Sequence, residues 1–147
     1  MKLSTRSCYG TRALLELALH HGEEPVQLKD IARSQQIPLQ YLAHIITPLI
    51  SAGMVRSTRG AKGGVSLARN PEEIKLNEVV QILEGSIAPA ECLNNSSVCD
   101  RSPSCVTRDI WSELQEAMEV VLASTTLQDL EERHKNKKDP QPAMYYI

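Results

Sequence analysis

Between Tyr9 and His21 the apolar residues Ala13, Leu14, Leu17 and Ala18 return at spacings of three and four, the rhythm of one helical face, and Gly22 breaks it. A short extended segment, EEPVQL, follows. Leu28, Ile31 and Ala32 then set a second helical register over 28–37. After Ile37-Pro38, the residues Leu42, Ile45, Ile46, Leu49 and Ile50 form a third stripe that Gly53 ends. Pro38 falls in a first helical turn, where its missing N–H is harmless. Two short helices with a tight break between them, neither able to bury its own face, form the pattern of a helix-turn-helix. Ala32 is small where the helices cross, Ile37 seals the turn, and Gln40, Tyr41 and His44 face outward. A generic αα-hairpin has the same pattern.

The period then changes from helix to strand. MVRS (54–57) and VSLAR (65–69) alternate apolar and polar residues, and TRGAKGG joins them into a β-hairpin. Its tip carries Arg56, Arg59 and Lys62 among Gly60, Gly63 and Gly64, with no acid in residues 54–69. Glycine lets the backbone approach a partner closely, and the cations suit a phosphate backbone or a narrow minor groove. A helix-turn-helix followed by a basic hairpin predicts a mainly α winged helix that binds double-stranded DNA. Gln40, Tyr41 and His44 would meet the major groove, and Arg56, Arg59 and Lys62 would sit at the wing.

Asn77 is placed to cap a helix over 77–85. The longest helical pattern spans 106–124, with Ile110, Trp111, Leu114, Met118, Val121 and Leu122 on one stripe. That stripe needs a partner. A second copy fits, because helix-turn-helix proteins read pseudo-palindromic operators as two-fold dimers; the chain's own core is the alternative. A short helix, TLQDLEERH, and a charged tail without periodicity complete the chain. The expected organisation is a winged-helix domain (1–85), a cysteine-rich loop (86–105), a dimerisation helix with a short following helix (106–134) and a flexible tail (135–147).

Across 147 residues the net charge is −2, which alone argues against nucleic acid. The average conceals a division: residues 1–75 hold ten Lys and Arg against six Asp and Glu, whereas residues 76–147 hold six against twelve. A basic front and an acidic rear suit a DNA-binding module joined to a second function. Phe is absent, so any core is aliphatic. No apolar run is long enough for a membrane span, and Arg12, Glu16, His20 and His21 break the N-terminal segment, so a cytoplasmic protein without membrane contact is expected.

The second function is foreshadowed in ECLNNSSVCDRSPSCVTRDIW, residues 91–111. Cys92, Cys99 and Cys105 lie there among Asn, Ser, Asp and Arg, an environment that buried thiols do not have. Cytosolic disulfides are rare, so metal binding or redox sensing leads. The spacing, six residues and then five, is unlike the CxxC knuckles of structural zinc sites.

This order of parts is similar to that of the IscR/NsrR family of bacterial winged-helix transcription regulators, many of which hold an iron–sulfur cluster. The resemblance rests on MKLSTRSCYGTRALLELA, IPLQYLAHIITPLISAGMVRSTRGAKGGVSLAR, IKLNEVVQILEG and the three cysteines followed by Trp111. It covers nearly the whole chain, and implies a homodimeric regulator with Cys92, Cys99 and Cys105 as cluster thiolates. The IscR type has a His three residues beyond its last cysteine; here Arg108 stands there, and it stays protonated and cannot ligate. The NsrR type takes a carboxylate at position 8 of the other subunit, and here that residue is Cys8. The resemblance thus implies Cys8 as a fourth, cross-subunit thiolate and favours [4Fe–4S] over [2Fe–2S], though four cysteines suit both. The alternative is that Cys8 is a small buried residue of the first helix. Ala43 stands where many IscR-type helices have an acid, so their operator preference is not implied, and Pro48 suggests a kink.

The same residues are compatible with a cluster-free regulator that senses by thiol oxidation or a partner protein. A small thiol redox protein fits less well, because CxxC is absent and the basic hairpin would have no use. An enzyme is not expected: His20, His21, His44 and His134 are scattered and pair with no obvious acid.

Overall fold

Helix α1 (Thr5–Leu19) starts earlier than its apolar rhythm because Ser4, in extended backbone, accepts the Ser7 amide at 3.3 Å. The Ser4 amide in turn donates to the Glu84 carboxylate at the far end of the fold's fourth helix. This computed structural model describes residues 2–138. Within it α1 is the central rod, packed on α2 (Leu28–Gln35), α3 (Leu39–Ser51), α4 (Leu76–Leu83), α7 (Leu127–Lys138) and strand β2 (Gly64–Leu67). Leu14, Leu17, Ile31, Leu42, Ile45, Ile46, Leu49, Met54, Val79 and Leu127 are fully buried around it, an aliphatic core as the composition requires.

The break between α2 and α3 is made without glycine. Gln36 takes the left-handed conformation (φ 54°), and the Ile37 amide donates to the Ala32 carbonyl at 2.9 Å, which folds Ile37 into the core. Pro38 precedes α3 as its cap residue rather than lying in its first turn. The kink expected at Pro48 does not end the helix: α3 continues to Ser51, and the Ala52 amide donates to the Pro48 carbonyl at 3.0 Å. The amide that proline lacks would have served the carbonyl of His44, an exposed residue.

Strands β1 (Val55–Thr58) and β2 (Gly64–Leu67) pair antiparallel, Val55 opposite Leu67 and Thr58 opposite Gly64. The extended segment before α2 adds one rung, with Val26 and Val65 exchanging hydrogen bonds of 2.9 and 2.8 Å. Gly64 is required by that approach, since a Cβ there would lie 2.4 Å from the Val26 carbonyl oxygen.

Beyond the wing, α4 begins one residue before Asn77. Lys75 is its cap position, and the Asn77 side chain accepts the neighbouring Glu78 amide, so Asn77 is not the cap. Helix α4 lies tightly on α1: a Cβ on Gly10 would come within 2.2 Å of Leu83 Cδ1. After the cysteine segment, α6 (Val106–Ala123) runs along α4 and the short α5 (Glu91–Asn94) with no buried residue of its own. The chain then returns to the body. Thr126 and Asp129 exchange side-chain-to-amide bonds of 3.2 and 2.8 Å in a capping box, and Leu127 is wholly buried, an anchor that the sequence reading left out of the core. Helix α7 extends to Lys138, so Lys135 to Lys138 are helical rather than part of a tail. The remainder of that tail lies outside the described residues.

Candidate nucleic-acid interface and thiol loop

The helix-turn-helix and the wing set two polar surfaces side by side in sequence. On α3, Gln40 and His44 are exposed, as expected, while Leu42, Ile45, Ile46 and Leu49 hold the opposite face in the core. Tyr41 behaves differently from the expectation. It is half-buried against the core, with its ring edge-on to Tyr9 of α1 at 5.9 Å, and the Arg12 guanidinium lies over Tyr9 at 5.5 Å. Arg12 also donates to the Gln35 carbonyl at the end of α2 and, at 3.3 Å, to the Gln35 side chain. An Arg–Tyr–Tyr series therefore fixes α1 against both helices of the helix-turn-helix. Sequence reasoning missed it because Tyr9 and Arg12 sit outside the apolar stripe of α1.

At the wing, Arg56, Arg59 and Lys62 are all exposed. Lys62 pairs with Glu24 at 3.5 Å, but both side chains are largely in solvent, so the bridge is weak. The base of the wing is held more firmly: Arg69 donates to both oxygens of Glu78 at 2.9 and 3.3 Å and to the Glu73 carbonyl at 2.7 Å. That pair lowers the Glu78 pKa and raises that of Arg69, the mutual hydrogen bond being the main cause in each.

The cysteine segment is not a featureless loop. It folds as α5, then single 3₁₀ turns at Ser96–Val98 and Ser102–Ser104, each polar and mostly exposed. Cys92, Cys99 and Cys105 are all free thiols, as is Cys8. Cys105 occupies the cap position of α6, and its sulfur lies 3.1 Å from the Thr107 hydroxyl. That hydrogen bond first, and the Arg108 and Thr107 amides second, hold its pKa below the ordinary thiol value and favour thiolate, the form that reacts and binds metal. Arg108 Nε and Nη2 both donate to the Cys92 carbonyl, at 3.4 and 3.3 Å, closing the segment from its first cysteine to the residues beyond its last. Thr107 could have been read from sequence, as a hydroxyl two residues past a thiol at a helix start.

The donor types fit an iron–sulfur cluster, which thiolates hold. They are not pre-gathered: among the described residues no group of three or more His, Cys, Asp or Glu converges on one point. Cys8 is exposed on the first turns of α1, which removes the reading of it as a buried small residue. Cys8 stands on α1, which packs on α4, and the cysteine segment leads into α6, which packs on the same α4, but among the described residues Cys8 is not gathered with the other thiols into one site.

The outer face of α6 is unpartnered. Val106, Ile110, Val120 and Val121 are 75, 55, 67 and 63 % exposed, and Trp111 is also exposed, whereas Leu114, Met118 and Leu122 are half-covered. The predicted stripe is thus split, one edge against the body and one bare. No helix of the described residues is long and apolar enough to cross a membrane.

Comparison with known proteins extends these observations. Residues 3–133 match the family model Rrf2, described as an iron-dependent transcriptional regulator. The protein rrf2 of Nitratidesulfovibrio vulgaris is 48 % identical over 130 residues, covering 88 % of this chain and 87 % of that protein. Among solved structures, IscR of T. potens superposes with a TM-score of 0.81 at 38 % identity, covering 99 % of this chain and 97 % of the other. CymR of B. subtilis, termed a global cysteine regulator, gives a TM-score of 0.78 at 38 % identity, covering 90 % and 98 %. The chain belongs to the Rrf2 family of winged-helix transcription regulators, DNA-binding proteins rather than enzymes.

Proposed function

From that membership, we propose that this regulator is a homodimer whose hold on its operator is set by an iron–sulfur cluster on Cys92, Cys99 and Cys105, with Cys8 of the other subunit as the fourth thiolate. The observation that carries this reading is the set of four free thiols, three of them in one polar segment at the start of α6, with Cys105 biased toward thiolate. The favoured form is [4Fe–4S], because the ligand at position 8 resembles the NsrR arrangement; four thiolates by themselves suit [2Fe–2S] as well. When bound, the cluster supplies iron- and redox-dependent bonds between segments otherwise joined by a few hydrogen bonds. The bare valine and isoleucine edge of α6 supplies the dimer surface; its burial is worth several kcal/mol at roughly 25 cal/mol per Å².

The residues around Cys8 support a route from cluster to DNA. Tyr9 follows it directly, and its ring meets Tyr41 on the reading helix α3. A bond at Cys8 therefore restrains α1 at the point where it touches α3. Gln40 and His44 in the major groove and Arg56, Arg59 and Lys62 along the backbone or minor groove then read two half-sites at a spacing set by the dimer. A difference of a few kcal/mol between bonded and unbonded α1 suffices to change operator affinity by orders of magnitude.

One observation favours a second reading. Cys105 is thiolate-biased and Cys99 exposed, so oxidation of the thiols without any cluster would also alter the loop. Anaerobic purification with iron, sulfide and visible absorption measurements separates the two, run beside Cys8→Ser and Cys99→Ser. A brown protein that loses colour in Cys99→Ser and changes spectrum in Cys8→Ser is expected. A colourless, iron-free protein that binds DNA only when its thiols are reduced would replace the cluster with thiol sensing.

A further inference from the structure

Arg108 is related to each of the three cysteines of the segment: to Cys105 by sequence, to Cys92 by hydrogen bonds and to Cys99 by a shared cavity. It stands on the first turn of α6, three residues after Cys105. Its guanidinium donates twice to the Cys92 carbonyl. Its side chain also lines, with Cys99, Ser96, Ser97 and Ser102, an open cavity of ≈ 520 Å³. Two features of this cavity are unresolved by the protein alone. Arg108 is half-buried, yet among the described residues it makes no ion pair, and its hydrogen bonds go to a neutral carbonyl. The Ser102 hydroxyl, in a residue only 6 % exposed, has no hydrogen-bond partner. A half-buried arginine without a counter-charge, on a cavity it shares with an unpartnered hydroxyl and with Cys99, suits an anion there. Asp100 also lines the cavity without pairing with Arg108, so the acid at hand does not fill that role.

We infer that Arg108 is the positioning residue of the thiol segment and the counter-cation of the anionic thiolate-bound group that completes it. This deepens the cluster reading and rests on it. Iron–sulfur clusters bound by thiolates carry net negative charge, and hydrogen bonds and nearby charge are among the levers that set their reduction potential. A cation beside the site stabilises the more negative, reduced form and raises the potential. The bidentate tie to Cys92 separately keeps the first cysteine near the third, which slows loss of the group. Lysine keeps the charge but not the planar fork, so the two roles are separable.

The test uses the full-length protein as wild type, Arg108→Gln and Arg108→Lys, each measured metal-free and after anaerobic loading with iron and sulfide. In metal-free protein, Arg108→Gln and Arg108→Lys should both show faster amide hydrogen exchange over residues 91–99, with exchange elsewhere unchanged. In loaded protein, Arg108→Gln should have a lower reduction potential. The expected drop is about tenfold in the reduced-to-oxidised ratio, about 59 mV for a one-electron couple. Arg108→Lys should restore most of that potential while still losing iron several-fold faster than wild type. Unchanged exchange over 91–99 in Arg108→Gln overturns the positioning role even if no variant takes up iron. Equal potentials in wild type and Arg108→Gln overturn the counter-charge role. Wild type that takes up no iron sinks the cluster reading, and with it the counter-charge; the exchange measurement still decides the positioning role.

Discussion

The body of the protein and its thiol arm are built on opposite principles. From Ser4 to Leu83 every helix presents a buried aliphatic face, and the elements are closed by short contacts: Val26 on Val65, Gly10 against Leu83, Arg69 on Glu78. From Glu91 to Ala123 only Ser102 is buried, four large aliphatic residues of α6 stand bare, and Arg108 has no counter-charge among the described residues. The first region is complete as one chain. The second is attached through α4 and through Leu127, and under the proposed function a second subunit and a ligand would complete it. A sensor needs such a division, because a region that already satisfied its own groups would not respond to what binds it.

The largest expected effect breaks the comparison from the core side. Leu42→Ala removes a fully buried side chain between α3 and α1 and should cost about 3 kcal/mol in urea unfolding. The matching change on the arm, Ile110→Ser with Val121→Ser, should leave unfolding of the monomer within about 0.5 kcal/mol. It should instead shift the protein from dimer to monomer in sedimentation. Equal destabilisation by the two changes would mean that α6 belongs to the core.

Next in size is the reading surface. Arg59→Ala at the exposed wing should weaken operator binding by about tenfold and reduce the salt slope by about one, with no change in unfolding. A loss confined to stability would remove the wing from the DNA interface.

Smaller still is the acid response of the wing's base. Glu78 is held below the usual carboxylate range by Arg69, so its contribution is present above the unfolded carboxylate pKa and lost as pH falls through the lower folded value. Because both side chains are over one-third exposed, the effect is small. Glu78→Gln should flatten the acid limb of the stability profile and leave neutral pH nearly unchanged. Smallest is the effect at Cys105. Thr107→Val removes the hydroxyl that chiefly favours its thiolate, so alkylation of Cys105 in metal-free protein should need a higher pH.

The same division governs what the sequence made legible. The helices and the hairpin could be read because an aliphatic face repeats at a fixed period; in α3 burial follows it at Leu42, Ile45, Ile46 and Leu49, while Ile50, read into the same stripe, lies at the helix end and is 38 % exposed. Three features escaped. Tyr41 reads as an outward-facing polar aromatic, and only the distant Tyr9 turns it inward. Leu127 follows one helix and opens another, so no periodicity marks it as core; its burial comes from the return of α7 onto α1. The bond from Arg108 to Cys92 spans sixteen residues of polar chain that carries no repeating signal. The thiols themselves were legible as chemistry, since cysteines in a polar segment have no packing role. Their assembly was not, because no repeating pattern relates Cys8 to the segment that holds Cys92, Cys99 and Cys105.

The most direct test of this division is amide hydrogen exchange on metal-free protein and on protein loaded anaerobically with iron and sulfide. The account predicts that protection rises over residues 91–123 and in the first turns of α1 around Cys8, while the buried helices α2 to α4 keep their rates. Protection unchanged in the thiol segment, or raised evenly through the whole chain, would contradict it.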